Sequence, residues 1–255
     1  MPLKDVKHAL GYLDGIIIFS EDTDSHYDHI KQVLKMLDNA GLKVNREKCD
    51  FFQTEIQFLG HKITREGIKA IPKSKMCISE IKPPKNRNEL LSFLGFSGYF
   101  QKFIRNYASI ATCLYRLTSK YTEFVWSPDC EKAFRDIKKC LSDMPLLRFT
   151  VAEQPLHLFT DSSNTAIGVS LSQLIDGEQR PIIFSSRKLS ASEANYSTID
   201  REMLAIVWSV KKLRYYLLGR KFIIHTDHNP LKYLASFQDS HGRRARWLTI
   251  LQEYN

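Results

Sequence analysis

No run in this 255-residue sequence approaches the roughly 18 uninterrupted apolar residues that a membrane span requires. The first ten residues also lack the apolar core of a secretion signal. Cysteine is scarce. The five present (Cys49, Cys77, Cys113, Cys130 and Cys140) are an odd number, are never spaced C-x-x-C and all precede residue 150, which excludes a disulfide framework and a zinc module. Internal repeats and low-complexity tracts are missing, and an apolar share of 43% excludes a disordered tail. What remains is a soluble intracellular protein with no membrane partner, long enough for one large domain or two ordinary ones. Acidic residues are outnumbered, 28 against 37 Lys and Arg, and the net charge of +9 is spread along the chain, favouring polyanions with nucleic acid first among them.

Residues 11–20 (GYLDGIIIFS) read as two short strands around an Asp14-Gly15 turn, with positive φ expected at both turn positions. Ile30, Val33, Leu34 and Leu37 mark one face of a helix over 26–40 that Gly41 stops. Residues 56–71 alternate around Arg65-Glu66-Gly67 as a second hairpin, and Pro72, Pro83 and Pro84 punctuate the stretch after it. Asn88 then caps a helix carrying Leu90, Leu91, Phe93, Leu94, Phe96 and Phe100. A second apolar helical run covers 104–117, and a third helix over 124–141 has Pro128 in its first turn.

After Pro145 the pattern changes to strands at 155–160, 166–174 and 181–186, the last two joined by Asp176-Gly177. A long helix over 197–218 comes next, with Ser197 as N-cap and Gly219 as stop, and then a fourth strand at 222–226. The main boundary falls near residues 143–155.

Strand, strand, strand, helix, strand describes a mixed sheet in which the fourth strand, reached by a right-handed crossover, lies parallel to the first. Asp161 and Asp227 then stand side by side just past the strand ends, in the crevice where open α/β sheets bind ligands. Glu202 borders the buried stripe of the long helix, where an acid is costly unless something cationic meets it. Three carboxylates from three elements suit Mg²⁺ or Mn²⁺, and metal-assisted phosphodiester cleavage is chemistry such a set performs. Each acid alone also has a plain structural role: Asp161 in a side-chain turn with Ser162 and Ser163, Asp227 as a cap before His228-Asn229-Pro230, Glu202 at a helix dipole.

At these residues the chain resembles the reverse transcriptase and ribonuclease H region of Pol polyproteins from gypsy-type long-terminal-repeat retrotransposons. The resemblance is carried by LFTDSSNTAIGVSLSQ, by PIIFSSRKLSASEANYSTIDREMLAIVWSVKKLRYYLLGRKFIIHTDHNPLKYL and by RRARWLTILQEYN. It implies that Asp161, Glu202 and Asp227 are three of the family's four metal-binding acids, that the fourth lies beyond Asn255, and that the substrate is the RNA strand of an RNA:DNA hybrid. Losing one ligand of a two-metal site is expected to lower the rate severely.

The front of the chain is similar to the last part of a polymerase palm and thumb. Tyr12-Leu13-Asp14-Gly15 looks like the family's Tyr-x-Asp-Asp hairpin with Gly15 at the second Asp, FLGHKI like the primer-holding hairpin, and ELLSFLGFSGYFQKFIRNYASIA like thumb helices. Only 13 residues precede Asp14, so Asp14 is read as a vestigial polymerase residue in a turn, and polymerisation is not expected. The implied fold is mixed α/β and α+β: a partial palm over 1–71, a helical thumb or connection over 72–150, and a ribonuclease H-like domain with a mixed, five-stranded type of sheet over 151–255, truncated at its C-terminus.

Lys62, Arg65, Lys69, Lys73 and Lys75, broken only by Glu66, read either as a nucleic-acid track or as a solvated face. Ser162, Asn164, Arg187 and Tyr196 are further candidates for contacting the hybrid, as are Lys188, Arg243, Arg244 and Arg246; Trp247 reads as core, and His225 and His228 as proton shuttles or structural residues. The expected activity is Mg²⁺- or Mn²⁺-dependent cleavage of RNA in hybrids, in the cytoplasm or a retroelement particle, with the rest of a Pol polyprotein as partner. The alternatives are a non-catalytic nucleic-acid-binding remnant and a fragment that does not fold stably.

Overall fold

The computed structural model describes residues 6–71, 75–227 and 242–254, with the side chains of 75–77 outside the description. The expectations for Lys73, Lys75, Cys77 and the 228–230 segment therefore fall outside the described residues. Two compact units divide the chain, 1–56 and 57–255.

In the first unit, β1 (Ala9–Tyr12) and β2 (Gly15–Ile18) pair antiparallel, and α1 (Thr23–Asn39) follows. The register matches Tyr12 with Gly15, so the turn centres on Leu13 and Asp14 rather than on Asp14 and Gly15. Leu13 alone of the two takes positive φ, +52°, and Gly15 becomes the first strand residue. The reason is pairing: a two-residue loop at 13–14 places Ile16 and Ile18 against the core of Val6, Ala9, Val33 and Leu37. Asp22 caps α1 by accepting the Ser25 N–H at 2.8 Å. At the other end Gly41, with φ +70°, lets the Leu42 N–H return to the Leu37 carbonyl at 2.9 Å. Leu34 is exposed instead of sharing the Ile30–Val33–Leu37 stripe.

The expected hairpin over 56–71 is three strands, β3 (Glu55–Phe58), β4 (His61–Thr64) and β5 (Gly67–Ala70), because Leu59 and Gly60 both adopt positive φ and make a further tight turn. Short α2 (Lys75–Glu80) precedes α3 (Arg87–Tyr99), whose N-cap is Asn86 and not Asn88: the Asn86 carboxamide accepts the Glu89 N–H. Starting there, Leu90, Phe93, Leu94 and Ser97 turn inward, leaving Leu91 and Phe96 outside. The run over 104–117 is broken into α4 (Tyr107–Ile110) and α5 (Thr112–Leu117), entered through left-handed Asn106 at φ +54°. Helix α6 (Pro128–Ser142) is capped by Ser127, and β6 (Leu147–Arg148) closes the sheet in the order β3-β4-β5-β6.

The second sheet comprises β7 (Leu156–Ser162), β8 (Ala166–Ile175) and β9 (Glu178–Lys188). Asp176 and Gly177, both at positive φ, join the last two as expected. After α7 (Ala191–Ala194), which a Ser190–Glu193 capping box starts, come α8 (Thr198–Lys212), α9 (Arg214–Leu217), β10 (Phe222–His225) and α10 (Arg243–Leu251). The long helix expected over 197–218 is thus interrupted at Leu213. Strand order is β10-β7-β8-β9, with β10 parallel to β7 and the other pairs antiparallel. The fold class is therefore mixed α/β, and among the described residues this sheet has four strands.

Leu156, Leu158 and Leu171 pack with Val210, Leu213 and Leu217 under the helices. Strand β8 is buried along both faces because α8 lies on one side and α4 on the other. Among the described residues no helix is long and apolar enough to cross a membrane.

Candidate active site

The parallel pairing of β7 and β10 sets the site. Phe159 is matched with His225, the last residue of β10, so Asp161 lies two residues past the paired stretch on β7 and Asp227 two residues past it beyond the end of β10. Asp161 lies inside its strand rather than past its end. Strand alternation then separates it from the helix side: Leu156, Leu158 and Thr160 are buried beneath α8, whereas Asp161 belongs with His157 and Phe159 on the opposite face.

Glu202 reaches the same strand ends from α8. It is only 5% exposed, and its two carboxylate oxygens accept the Ser162 hydroxyl at 2.6 Å and the Thr226 hydroxyl at 3.2 Å. Those donors are the chain neighbours of Asp161 and Asp227. Among the described residues Glu202 has no ion pair, so a buried carboxylate is met by hydroxyls alone, a costly arrangement without a cation. Asp161 is exposed and accepts the Asn106 side-chain amide at 2.7 Å. Hard oxygen donors and a buried acid short of positive charge fit a divalent cation. Even so, among the described residues no three His, Cys, Asp or Glu side chains are gathered closely enough to enclose one.

On the outer face His157 and His225 lie in contact, ring nitrogens 2.9 Å apart, and Phe159 stacks on His225 with centroids 4.2 Å apart. Burial, and then His225, hold His157 below the usual imidazole pKa. His225 is thus engaged with its neighbours, and His228 lies outside the described residues.

Most of the expected hybrid-contacting residues have intramolecular partners. Ser162 serves Glu202; Asn164 accepts from Arg201. Arg187 holds Glu193 with two bonds of 2.7 and 2.9 Å and lies over Trp208, and this contact depresses the Glu193 carboxyl to about 2. Tyr196 is covered by the Arg243 guanidinium at 3.7 Å. Arg243 and Arg244 both bind Asp200, at 3.1 and 2.7 Å, and Trp247 is core, as expected. Lys62 and Lys69 are register partners and share a face of the β4–β5 hairpin, Arg65 is exposed at its turn, and Glu66 pairs with Arg148. Asp14 is exposed at the first hairpin's turn. Asn106 escaped sequence reasoning: nothing in IRNYASIA marks one Asn as reaching a strand 55 residues away.

Residues 151–254 match the family model described as the RNase H-like domain found in reverse transcriptase, and residues 2–63 match reverse transcriptase (RNA-dependent DNA polymerase). The chain is 42% identical to the retrovirus-related Pol polyproteins of transposons opus and 297 of Drosophila melanogaster, over 96% and 97% of its length. It is 36% identical to the Tf2-7 transposon polyprotein of Schizosaccharomyces pombe over 97%. It spans only 26%, 23% and 19% of those relatives, about a quarter or less of each. A foamy viral protease-reverse transcriptase in complex with double-stranded DNA has the same fold, with a TM-score of 0.79 at 23% identity, covering 98% of this chain and 45% of that one. A foamy viral protease-reverse transcriptase in complex with an RNA/DNA hybrid gives 0.77 at 23% identity, over 98% of this chain and 34% of that one. The chain therefore belongs to the reverse transcriptase and ribonuclease H region of the Pol polyproteins of gypsy-type long-terminal-repeat retrotransposons.

Proposed function

We propose that the second sheet carries metal-dependent cleavage of the RNA strand in RNA:DNA hybrids, with Asp161, Glu202 and Asp227 as the metal-binding acids. The observation that carries this reading is Glu202: a buried carboxylate with no ion pair among the described residues, held by the hydroxyls of Ser162 and Thr226, the chain neighbours of Asp161 and Asp227. Mg²⁺ or Mn²⁺ bound there supplies a nucleophilic water and charge neutralisation at the phosphodiester. The chain's own share is to hold the acids: α8 brings Glu202 to the hydroxyls of Ser162 and Thr226, next in the chain to Asp161 and Asp227. Lys62, Arg65 and Lys69 add positive charge along the β4–β5 hairpin for the hybrid's backbone. Asp14 is a turn residue without a polymerase role, and the chain works in the cytoplasm or an element particle as part of a longer Pol polyprotein.

The test is cleavage of a labelled hybrid with Mn²⁺ or Mg²⁺ by the parent and by Asp161→Asn, with hybrid affinity measured alongside. Cleavage in the parent that falls at least about 100-fold in the variant, with affinity retained, is expected from loss of a metal ligand. A second reading, a hybrid-binding module without catalysis, is favoured by the lack of a closed three-acid cluster among the described residues. It requires binding with a steep salt dependence that is indifferent to Asp161. That result, with no cleavage, overturns the nuclease reading.

A further inference from the structure

We infer that Asn106 is a positioning residue for Asp161, a role that rests on the metal-binding reading of Asp161. Asn106 stands at the N-cap of α4, where asparagine ordinarily accepts a backbone N–H of its own helix, yet its side chain makes no capping bond. Its amide instead donates across to Asp161 Oδ2 at 2.7 Å.

The sheet is shaped to receive it. Asp161, Gly168 and Ser186 are register partners on β7, β8 and β9, so they form one row across three strands and face the same side. A Cβ on Gly168 would lie 2.3 Å from Asn106 Oδ1 and 3.3 Å from its Cγ, so the carboxamide rests directly on the glycine backbone and only glycine leaves room. At the far end of the row the Ser186 hydroxyl accepts the Ala108 N–H at 2.8 Å. Asn106, Ser109, Asp161, Gly168 and Ser186 line one small cleft.

The support behind Asn106 is rigid. Ile104 and Tyr107, on either side, are each 1% exposed, and the Tyr107 hydroxyl is bonded to Ser97 at 2.7 Å inside the core of the helical layer. A backbone φ of +54°, which asparagine tolerates better than most residues, aims the amide outward from this anchor. One oxygen of Asp161 is thereby fixed and the other left for a cation, which is how ligating carboxylates are oriented by the groups behind them. A side chain from the helical layer thus sets the rotamer of an acid on the second sheet.

The decisive variant is Asn106→Gly, which removes the amide while keeping the left-handed backbone unstrained. Gly168→Ala serves as the second, since it displaces the amide without altering Asn106. Mn²⁺ affinity measured by electron paramagnetic resonance on the full chain should weaken about tenfold in both. In hybrid cleavage both should need about tenfold more metal for half-maximal rate, with KM for hybrid unchanged and the rate restored at saturating metal; Asp161→Asn should not be restored. Mn²⁺ affinity equal to the parent's in Asn106→Gly, with Asp161→Asn impaired, overturns the positioning role alone. So does a lower Tm with unchanged affinity, which marks a packing contact only. Parent and Asp161→Asn binding Mn²⁺ equally overturns the metal-binding reading, and this inference with it.

Discussion

Glu202→Gln separates an acid kept for function from one kept for stability. In the parent the carboxylate accepts two hydroxyl bonds, at 2.6 and 3.2 Å, while 5% exposed and unpaired among the described residues. Hydrogen bonds to a charged acceptor contribute about 1.5–3 kcal/mol each, roughly 1 kcal/mol more than neutral ones. Gln keeps a carbonyl for Ser162 and turns an NH₂ toward Thr226, whose oxygen accepts, so about 2 kcal/mol of charge assistance is lost in total. Against this stands the effective penalty of several kcal/mol for holding an ion away from water. The balance is an unfolding free energy that stays within about 1 kcal/mol of the parent's, or rises, when metal is chelated. With Mn²⁺ at about 100 times its dissociation constant, the parent should gain about 2.7 kcal/mol and the variant little or none. Urea unfolding in EDTA and in Mn²⁺ measures both. A loss above about 2 kcal/mol in EDTA would refute the reasoning and make Glu202 a structural acceptor.

Burial, followed by Lys102, lowers the pKa of His61, and burial, followed by His225, lowers that of His157, both from 6.5. The unfolded chain therefore takes up protons first, so this part of the stability is present above pH 6.5 and is lost as pH falls toward the folded values; urea midpoints at about pH 7.5 and 5.5 should show the drop. Asp200→Ala removes the carboxylate that accepts from Arg243 and Arg244, whose side chains are 38% and 31% exposed, and should cost about 1–2 kcal/mol by urea unfolding. Gly67→Ala places a Cβ 2.0 Å from the Leu147 carbonyl oxygen at φ +159° and should cost about 3 kcal/mol or more, read as a lower Tm, because both backbones are committed to the β5–β6 pairing. A Tm for Gly67→Ala equal to the parent's would contradict that pairing.

The second sheet was legible because each local signal agreed with the next: Asp176-Gly177 demanded a tight hairpin, Ser197 and Gly219 bounded the helical region, and a crossover of that length forces β10 parallel to β7. The failures differ in cause. The first turn follows the packing of Ile16 and Ile18 on Val33 and Leu37, whereas Asn86 displaces Asn88 through a local arrangement in which Asn86 accepts the Glu89 N–H and the Glu89 carboxylate accepts the Lys85 N–H. The site was half legible because part of it rests on packing between distant segments. Parallel pairing brings the ends of β7 and β10 together, and that follows from topology; period-two alternation also sends Asp161 to the face away from α8, and that face matters only once α4 is known to lie on it. Asn106 was therefore invisible to spacing arguments, since its partner is fixed by the docking of a helical layer on β8 and β9. Gly168 was the one trace left in the sequence. A glycine inside a strand buried on both faces is unfavourable unless another chain segment approaches its backbone, and here the segment that approaches carries the amide that holds Asp161.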